Sequence, residues 1–400
     1  MNDNYIKLYM KKVLLVFPGI KIKNDEGSKH RLNCHINEYK RHGYEVDVLA
    51  FCKDAKFSCE SKYLNPNANW IVRPFLIPMG KHIILTKCLM AYLKFLTALH
   101  TWFKKYDVVQ MEMFGSQSTL CRKDALYITD VHGDAVNELR EMNRLKPWVW
   151  DYFVKIQRDF IKHSDTCIVV SENLKSQLET NTGSKIKDYS LISCGVDVER
   201  FKKAQCAQIE GLDLSKRIVL GYCGGFHGWQ NFDKMIDLVI RLREYDKSVF
   251  LLAFSNDDIT PYKQQLEQLG QDNYFIKGLL SEEVPSHLKL MDAGLLLRSN
   301  LILNIVSSPT KICEYLAAGV PLICTQYSGD YARSVTHKVN GFVGADPAFT
   351  DSEVKDLLEW LKNVKANRTE IAQLCTESVA ERTFEAEFNV FEEKIEKYRK

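Results

Sequence analysis

The sequence lacks several features that would restrict the class of protein. None of its twelve cysteines forms a C-x-x-C pair or a zinc-type spacing, and Cys167, Cys223 and Cys324 lie inside apolar runs, which argues against a disulfide framework. No apolar run approaches the roughly 18 residues of a spanning helix. The amino-terminal MNDNYIKLYMKK has no apolar core of the signal-peptide kind. We therefore expect a soluble protein of a reducing cytoplasm, or one that rests on a membrane without crossing it.

The chain has little net charge, and one of its segments lacks acidic residues. The formal net charge is +3 over 400 residues, which argues against general nucleic-acid binding. Segment 61–106 contains no Asp or Glu but seven Lys and Arg residues. Its large apolar residues recur at helical spacing and its lysines fall on another face: Leu85, Leu89, Tyr92, Leu96, Leu99 and Phe103 against Lys87, Lys94 and Thr101. The segment predicts either a domain helix with a solvated lysine face or a basic amphipathic surface that docks on anionic lipid.

Short apolar runs alternate with amphipathic stretches throughout the chain. KVLLVF, YEVDVLAF, WIVRPFLI, YDVVQMEMF, ALYITDVHG and DTCIVVS are strand candidates of a first half, in which Gly19 and Gly27 belong to the loop after the first strand. The pattern restarts with RIVLGYCGG and continues with SVFLLAF, YFIKG, AGLLLRS, VPLICTQ and NGFVG. Strands separated by helical segments indicate parallel βαβ units.

Two doubly wound α/β domains follow from this restart. A polar, patternless segment near 198–214 separates the halves. We expect an amino-terminal Rossmann-like domain over 1–197, a second Rossmann-like domain over 198–380, and a helix over 381–400 that returns to the first domain. A ligand is expected in the cleft that the two domains face, at the carboxyl ends of their strands.

The stretch SSPTKICEYLAAGVPLICT, residues 307–325, places one carboxylate, Glu314, among apolar residues. Ser308 suits an N-cap and Pro309 the first helical position, so a helix is predicted to begin there. Its first turn would be a seat for phosphate, with Lys311 adding a cation. Glu314 lies five residues beyond Pro309, or about 7–8 Å along the helix axis. That distance is about the reach from a pyrophosphate to the ribose attached to it. Alone, the fragment also fits an acid that faces solvent or caps a neighbouring loop.

Several segments resemble one family in the expected order. P-T-K-I-C-E-Y-L-A-A-G-V-P-L-I is similar to the donor-binding signature of the large family of retaining GT-B glycosyltransferases, the glycosyl transferases of group 1. ISCGVDVERF resembles its linker, YCGGFHGWQNFDKMIDLV its glycine loop, and FIKGLLSEEVPSHLKLMDAGLLLRS a further segment. The resemblance covers most of the chain and implies the GT-B fold.

The resemblance also implies roles for individual residues. Glu314 would bind the donor ribose, and Ser308, Pro309 and Thr310 with Lys311 would hold the diphosphate. Gly225 and Phe226 would line the other side of the phosphates, Gly278 and Leu279 would lie near the base, and Gly27 would let the backbone approach the donor. His132 would sit at the reacting centre; the alternative is a structural histidine bonded to a backbone carbonyl. His227 and Trp229 have no firm role beyond loop structure or acceptor contacts.

Three polar contacts of the family pattern are missing. Val306 stands where many members carry an acid that contacts the donor sugar, and Gly225 and Gln230 stand where Arg and Lys clamp phosphate. Arg298, at a predicted strand end, is the expected substitute together with Lys311. No D-x-D motif of a metal-dependent transferase is found, so neither a metal nor another cofactor is expected.

The function expected is a retaining hexosyl- or N-acetylhexosaminyl-type glycosyltransferase. Its donor would be a nucleotide sugar, with UDP before GDP, and its acceptor a glycan or lipid-linked saccharide of cell-surface polysaccharide synthesis. The acid-free segment would place it on the inner face of the cell membrane. Two alternatives remain open: a catalytically silent GT-B subunit that stabilises a partner enzyme, favoured by the missing clamp, and a nucleotide-sugar epimerase on the same architecture.

Overall fold

The computed structural model describes residues 11–21, 27–53, 61–75, 82–113, 121–141 and 146–399. The chain divides into two compact units, an amino-terminal unit of residues 1–192 with 387–400 and a carboxyl-terminal unit of residues 193–386. Both divisions differ from the expected ones, which lie after residues 197 and 380. The first lies earlier because the N–H of Ile192 still donates to the carbonyl of Val169, 3.1 Å away, and so ties residue 192 to the first sheet.

The amino-terminal unit is a parallel sheet of seven described strands with helices between them. Its strands are β1 (Lys11–Ile20), β2 (Tyr44–Cys52), β3 (Asn69–Pro74), β4 (Val108–Glu112), β5 (Leu126–Val131), β6 (Thr166–Val169) and β7 (Tyr189–Leu191). Its helices up to this point are α1 (Gly27–Arg41), α2 (Ile83–Phe103), α3 (Ala135–Glu141), α4 (Pro147–His163) and α5 (Glu172–Thr182). The strand order is β3-β2-β1-β4-β5-β6-β7, so the order reverses between β1 and β4.

The carboxyl-terminal unit repeats this plan with six described strands. They are β8 (Ile218–Cys223), β9 (Val249–Phe254), β10 (Tyr274–Lys277), β11 (Ala293–Leu296), β12 (Leu322–Thr325) and β13 (Gly341–Gly344), in the order β10-β9-β8-β11-β12-β13. The helices are α6 (Val198–Lys203), α7 (Phe232–Tyr245), α8 (Lys263–Leu269), α9 (Val284–Leu288), α10 (Ile302–Ile305), α11 (Thr310–Ala317), α12 (Asp351–Ala366) and α13 (Arg368–Glu377). Every pairing within the two sheets is parallel, which confirms two Rossmann-like doubly wound units.

The last helix, α14 (Phe384–Arg399), packs on the amino-terminal unit after residue 386. Its Glu392 accepts a hydrogen bond from the Tyr44 hydroxyl, 3.0 Å away, and its Lys394 donates to the carbonyl of Tyr189, 2.7 Å away. Phe388 packs against Tyr39 with ring centroids 4.9 Å apart. The chain end therefore closes over α1 and the first sheet.

Local predictions fail at the loop after β1 and at β7. Gly19 lies inside β1 with a φ of +81°, where the pairing with β2 shifts register between Pro18 and Ile20. Gly27 is the first residue of α1, not a loop residue, and a Cβ there would meet open space. Strand β7 was not predicted; its three half-buried residues lie between the predicted strand DTCIVVS and the linker segment ISCGVDVERF.

Helix α2 also differs from its prediction. Its buried side chains are Thr86, Leu89, Met90, Leu93, Thr97, Ala98 and Thr101, whereas Leu85, Leu99 and Phe103 are exposed. It is also the one helix of the described residues that is long and apolar enough to cross a membrane, judged by length and composition alone, and 33% of its most apolar window is buried. The sequence predicted no uninterrupted apolar run of about 18 residues, and Lys87 and Lys94 do interrupt the apolar residues of this helix.

Candidate functional site

The predicted donor residues gather where the strand order of the second sheet reverses. Strands β8 and β11 are neighbours, with Ala293 opposite Leu220. Gly224 follows β8 directly and has a φ of +144°, a conformation that side chains disfavour. A Cβ at this glycine would lie 2.5 Å from Cε and 2.6 Å from Nζ of Lys311. The glycine loop after β8 and the first turn of α11 therefore share one site.

Helix α11 is fixed against the glycine loop by two tyrosines. The Tyr315 hydroxyl accepts a hydrogen bond from the backbone N–H of Cys223 at 2.8 Å, and the Tyr222 hydroxyl donates to the carbonyl of Gly225 at 2.6 Å. The Lys311 ammonium lies 5.9 Å from the centroid of the Tyr222 ring. Burial lowers the pKa of Lys311, and the Glu314 carboxylate, one turn further along α11, partly offsets this.

Arg298 stands immediately beyond β11 and is only 7% exposed. One terminal nitrogen, Nη1, donates to Oδ1 of Asn304 at 2.9 Å and to the carbonyl of Trp229 at 3.4 Å. Its Nε atom is buried and has no hydrogen-bond partner among the described residues. Burial lowers the pKa of Arg298 to about 10, so the guanidinium stays charged at neutral pH. A buried cation with an unmet donor is chemically suited to an anionic ligand.

The start of α11 differs from the prediction. The helix begins at Thr310, Pro309 is its N-cap, and the Ser308 side chain makes no capping hydrogen bond. The Ser308 hydroxyl instead donates to Oδ2 of Asp330 at 3.1 Å, and Arg382 donates to the same oxygen at 2.5 Å. The Ser308 hydroxyl is thus engaged with Asp330 and does not cap α11, whose first-turn backbone N–H groups carry the positive end of the helix dipole.

Phe226 does not face a ligand with its ring. The ring is buried and stacks on Phe232, with centroids 4.0 Å apart, and the backbone N–H of Phe226 donates to Oδ2 of Asp257 at 2.7 Å. Asn256 precedes Asp257 in the loop after β9, and its Oδ1 would lie 2.0 Å from a Cβ placed on Gly278. The loops after β8, β9 and β10 therefore meet, and Gly278 is needed for the approach of Asn256.

The remaining predicted residues of the second unit include the positions where the family pattern has its missing polar contacts. Val306 is buried beyond the last turn of α10, and Gln230 is also buried, within a short turn before α7. The exposed ring of His227 stacks on Trp229, with centroids 4.7 Å apart. Leu279 contributes its carbonyl, which accepts a hydrogen bond from Asn256 at 3.4 Å. Val306, Gln230 and Leu279 therefore add no charge to the Lys311 and Arg298 pair.

The amino-terminal unit carries a separate ionisable cluster at the carboxyl ends of β4 and β5. Nε2 of His132 lies 3.5 Å from Oε1 of Glu112, the last residue of β4. The second Glu112 oxygen, Oε2, is buried and has no hydrogen-bond partner among the described residues. Burial works to lower the pKa of His132, but the carboxylates of Glu112 and Asp130 together raise it above its ordinary value.

Asp130 anchors this cluster in the interior. Arg31 of α1 donates to both of its carboxylate oxygens, at 2.8 and 2.6 Å, and Nε2 of His35 lies 3.1 Å from Oδ2. Burial works to raise the pKa of Asp130, yet the cation of Arg31 and the hydrogen bond of His35 hold it far below its usual range. This buried ion pair fixes α1 to β5 directly beside His132.

Four residues that contact predicted site residues or their neighbours were not predicted from the sequence: Glu112, Asp257, Asp330 and Arg31. Glu112 had a detectable signal, since it ends the strand segment VVQME, which pairs with the strand that ends just before His132. The other three make contacts with residues far away in the sequence, which no local pattern predicts. Within the described ranges, no group of three or more His, Cys, Asp or Glu side chains is arranged to hold a metal ion.

Comparison with known proteins shows both a family and a fold. The profile of Glycosyltransferase Family 4 matches residues 34–200, and that of Glycosyl transferases group 1 matches residues 207–373. No curated protein matches the sequence. These two profiles together span most of both units.

Solved structures resemble the whole chain at low sequence identity. Sucrose-phosphate synthase from Thermosynechococcus elongatus has a TM-score of 0.73 at 13% identity, covering 97% of this chain and 99% of its own. A glycosyltransferase from Rickettsia africae has a TM-score of 0.69 at 15% identity, with 98% and 99% covered. HepE from Anabaena, in complex with UDP and glucose, has a TM-score of 0.66 at 14% identity, with 97% and 100% covered. The solved structures show that the chain shares the GT-B fold, and the two profile matches show that it belongs to the glycosyl transferases of group 1.

Proposed function

We propose that this protein transfers a hexosyl or N-acetylhexosaminyl group from a nucleoside-diphosphate sugar to a hydroxyl of a glycan or lipid-linked saccharide. The observation that carries the donor class is the pair of cations Lys311 and Arg298 beside the glycine loop. Arg298 depresses the pKa of Lys311 by repulsion, after the larger effect of burial. A bound diphosphate would relieve this repulsion and supply the acceptor that Nε of Arg298 lacks.

The donor would lie along α11 and the loops of the second sheet. The backbone N–H groups of Thr310 and Lys311 lie in the first turn of α11, which is the positive end of the helix dipole. A bound diphosphate is favoured there. Glu314 follows one turn later and is the expected acceptor for the ribose hydroxyls. Gly278 and Leu279 would contact the base. UDP is the first candidate and GDP the second; UDP is also the nucleotide named in the complex of the Anabaena relative.

The chemistry proposed is metal-independent and retains the anomeric configuration. The bond between the anomeric carbon and the diphosphate oxygen breaks through an oxocarbenium-like state, and the acceptor oxygen forms its bond on the same face. The acceptor proton passes to the departing diphosphate. Lys311, Arg298 and the helix dipole would stabilise the charge on that leaving group. His132 is assigned to the reacting centre.

The acceptor side is proposed from the amino-terminal unit. Segment 61–106, free of acids and rich in lysine, would place the protein on anionic lipid at the inner face of the cell membrane. A lipid-linked sugar or a growing surface polysaccharide is the acceptor class that such a location favours.

UDP release from UDP-glucose, UDP-galactose and UDP-N-acetylglucosamine, with and without membrane-extracted lipid-linked saccharides, tests this function. We expect release that requires the acceptor and that Glu314→Ala abolishes, with Glu359→Ala of the exposed face of α12 as the matched control. NMR of the product should show the anomer of the donor. Conversion of the free nucleotide sugar without acceptor would identify an epimerase instead. A protein that binds no donor would be a silent subunit.

A further inference from the structure

Helix α2 turns its most apolar side chains to the outside. Ile84 is 71% exposed, Phe95 58%, Trp102 64% and Phe103 83%. Ile84, Phe95 and Trp102 are separated by 11 and 7 residues, which at 3.6 residues per turn places them on one stripe, with Leu99 beside them. The exposed stripe of this helix is therefore continuous over its length.

The opposite face of α2 is less apolar than the exposed one. Three of its seven buried residues are threonines, and the hydroxyls of Thr97 and Thr101 donate to the carbonyls of Leu93 and Ala98 at 2.9 and 2.8 Å. These hydroxyls are satisfied within the helix and need no solvent. The usual amphipathic order of a surface helix is thus reversed, which a water-facing helix has no physical reason to adopt.

Basic groups border the exposed stripe. Lys87 and Lys94 lie on one flank of the helix, and Lys105 is exposed just beyond its end. Burial raises the pKa of Tyr92 and lowers that of His100 in α2, and the nearby positive charge of Arg73 acts to lower both. Segment 61–106 contributes no carboxylate. Positive charge beside aromatic and aliphatic side chains matches the headgroup boundary of an anionic bilayer.

We propose that α2 lies in the plane of an anionic lipid leaflet and inserts its exposed apolar stripe between the headgroups. The helix is held in this orientation because Leu89, Met90 and Leu93 pack in the core of the amino-terminal unit with Leu14 and Phe51 of the sheet. A spanning orientation would require α2 to leave that core. The identification of the acceptor as a lipid-linked molecule at this surface rests on the proposed glycosyl transfer, whereas the insertion of α2 does not.

Flotation with lipid vesicles tests the insertion. The wild-type chain is mixed with vesicles of phosphatidylcholine containing phosphatidylglycerol, or of phosphatidylcholine alone, and the triple variant Phe95→Gln, Trp102→Gln, Phe103→Gln is compared. A matched control replaces three other exposed apolar side chains, Tyr245→Gln, Val339→Gln and Val390→Gln. We expect wild type and control to float with the anionic vesicles. The α2 variant should bind at least about tenfold more weakly.

UDP binding, measured on the same preparations, separates this inference from the proposed function. If the triple variant loses flotation but binds UDP as wild type does, the α2 surface is a lipid-binding face of a folded protein. The inference is overturned if wild type fails to float with anionic vesicles, or if the triple variant floats equally well. It is also overturned if wild type forms a dimer that the triple variant abolishes, since the stripe would then be a subunit interface. If wild type floats with anionic vesicles but binds no nucleotide, the proposed transferase function is contradicted and the insertion of α2 is supported.

Discussion

Nε2 of His132 lies 3.5 Å from Oε1 of Glu112, which pairs the imidazole after β5 with the last carboxylate of the neighbouring strand. Nε2 is buried and faces this carboxylate at a distance beyond a good hydrogen bond, with no hydrogen-bond partner among the described residues. The charge of His132 in the working enzyme thus depends on a residue that sequence reasoning did not select.

The pH dependence of His132 follows from this pair. Glu112 and Asp130 raise the pKa of His132, while Arg31 and burial oppose them. We expect Glu112→Gln to lower the pKa, measured by NMR titration of the His132 ring. A raised histidine pKa stabilises the fold below about pH 6.5, and this contribution is lost as pH rises through the folded value. The stability difference between wild type and Glu112→Gln should therefore shrink on going from pH 5 to pH 8.

Glu393→Gln, an exposed change in α14, is the control for that titration. An unchanged His132 pKa in Glu112→Gln would show that the carboxylate does not act on the imidazole. A shift in both variants would point to a general charge effect instead.

The buried pair of Arg31 and Asp130 should be essential to stability. Asp130→Asn removes the charge that compensates a guanidinium only 5% exposed, and such losses cost about 3–5 kcal/mol in the free energy of unfolding. Since the pKa of Asp130 is depressed in the folded state, its contribution is present above about pH 4 and declines as pH falls toward the folded value. Urea denaturation from pH 3 to pH 7 checks both statements.

Asp213→Asn on the surface of the second unit serves as the reference for denaturation. If Asp130→Asn unfolded at the same urea concentration as Asp213→Asn, the Arg31–Asp130 pair would not hold α1 against β5.

Gly224 is predicted to set the position of Lys311. A methyl group in Gly224→Ala would come within 2.5 Å of Cε of Lys311 and would occupy a backbone conformation with a φ of +144°. The flexible lysine would be displaced, so we expect UDP affinity to fall roughly tenfold or more. Gly228→Ala is the matched control, because a Cβ there meets open space. Equal affinities of the two variants in calorimetric titration would contradict this arrangement.

Arg298 is predicted to substitute for the missing phosphate clamp. Arg298→Ala should weaken UDP binding by about 1.5–3 kcal/mol, the contribution of one charge-assisted contact. Arg298→Lys should fall between wild type and alanine, because it keeps the charge and loses the planar donors. Fluorescence competition with a labelled nucleotide measures the series. Wild-type affinity in Arg298→Ala would assign the residue to its Asn304 contact alone.

The fold could be predicted because short apolar runs, repeated along the chain and separated by helical segments, indicate buried parallel strands. Strand β1 and strand β9 are buried along most of their length and were found at once. β7 was missed because three half-buried residues carry too little signal. Helical spacing located α2 but assigned its faces wrongly, since Thr101 was placed on the lysine face although it is buried and its hydroxyl donates to the carbonyl of Ala98.

The candidate site was predictable where function depends on sequence neighbours. Lys311 and Glu314 share one helix, and their joint presence was visible in the sequence. The use of the Ser308 hydroxyl was not, because Asp330 and Arg382, 22 and 74 residues away, take it. The buried ring of Phe226 and the role of Glu112 likewise depend on partners brought together only by the fold.

The central claim is that α11 and the glycine loop form a metal-independent site for a nucleoside diphosphate. Calorimetric titration of wild type and Glu314→Ala with UDP, GDP, ADP and CMP in EDTA tests it most directly. We predict that wild type binds one diphosphate, UDP before GDP, and that Glu314→Ala binds it roughly tenfold or more weakly because the ribose contact is lost. Binding of none of the four by wild type, or binding that Glu314→Ala leaves unchanged, would contradict the claim.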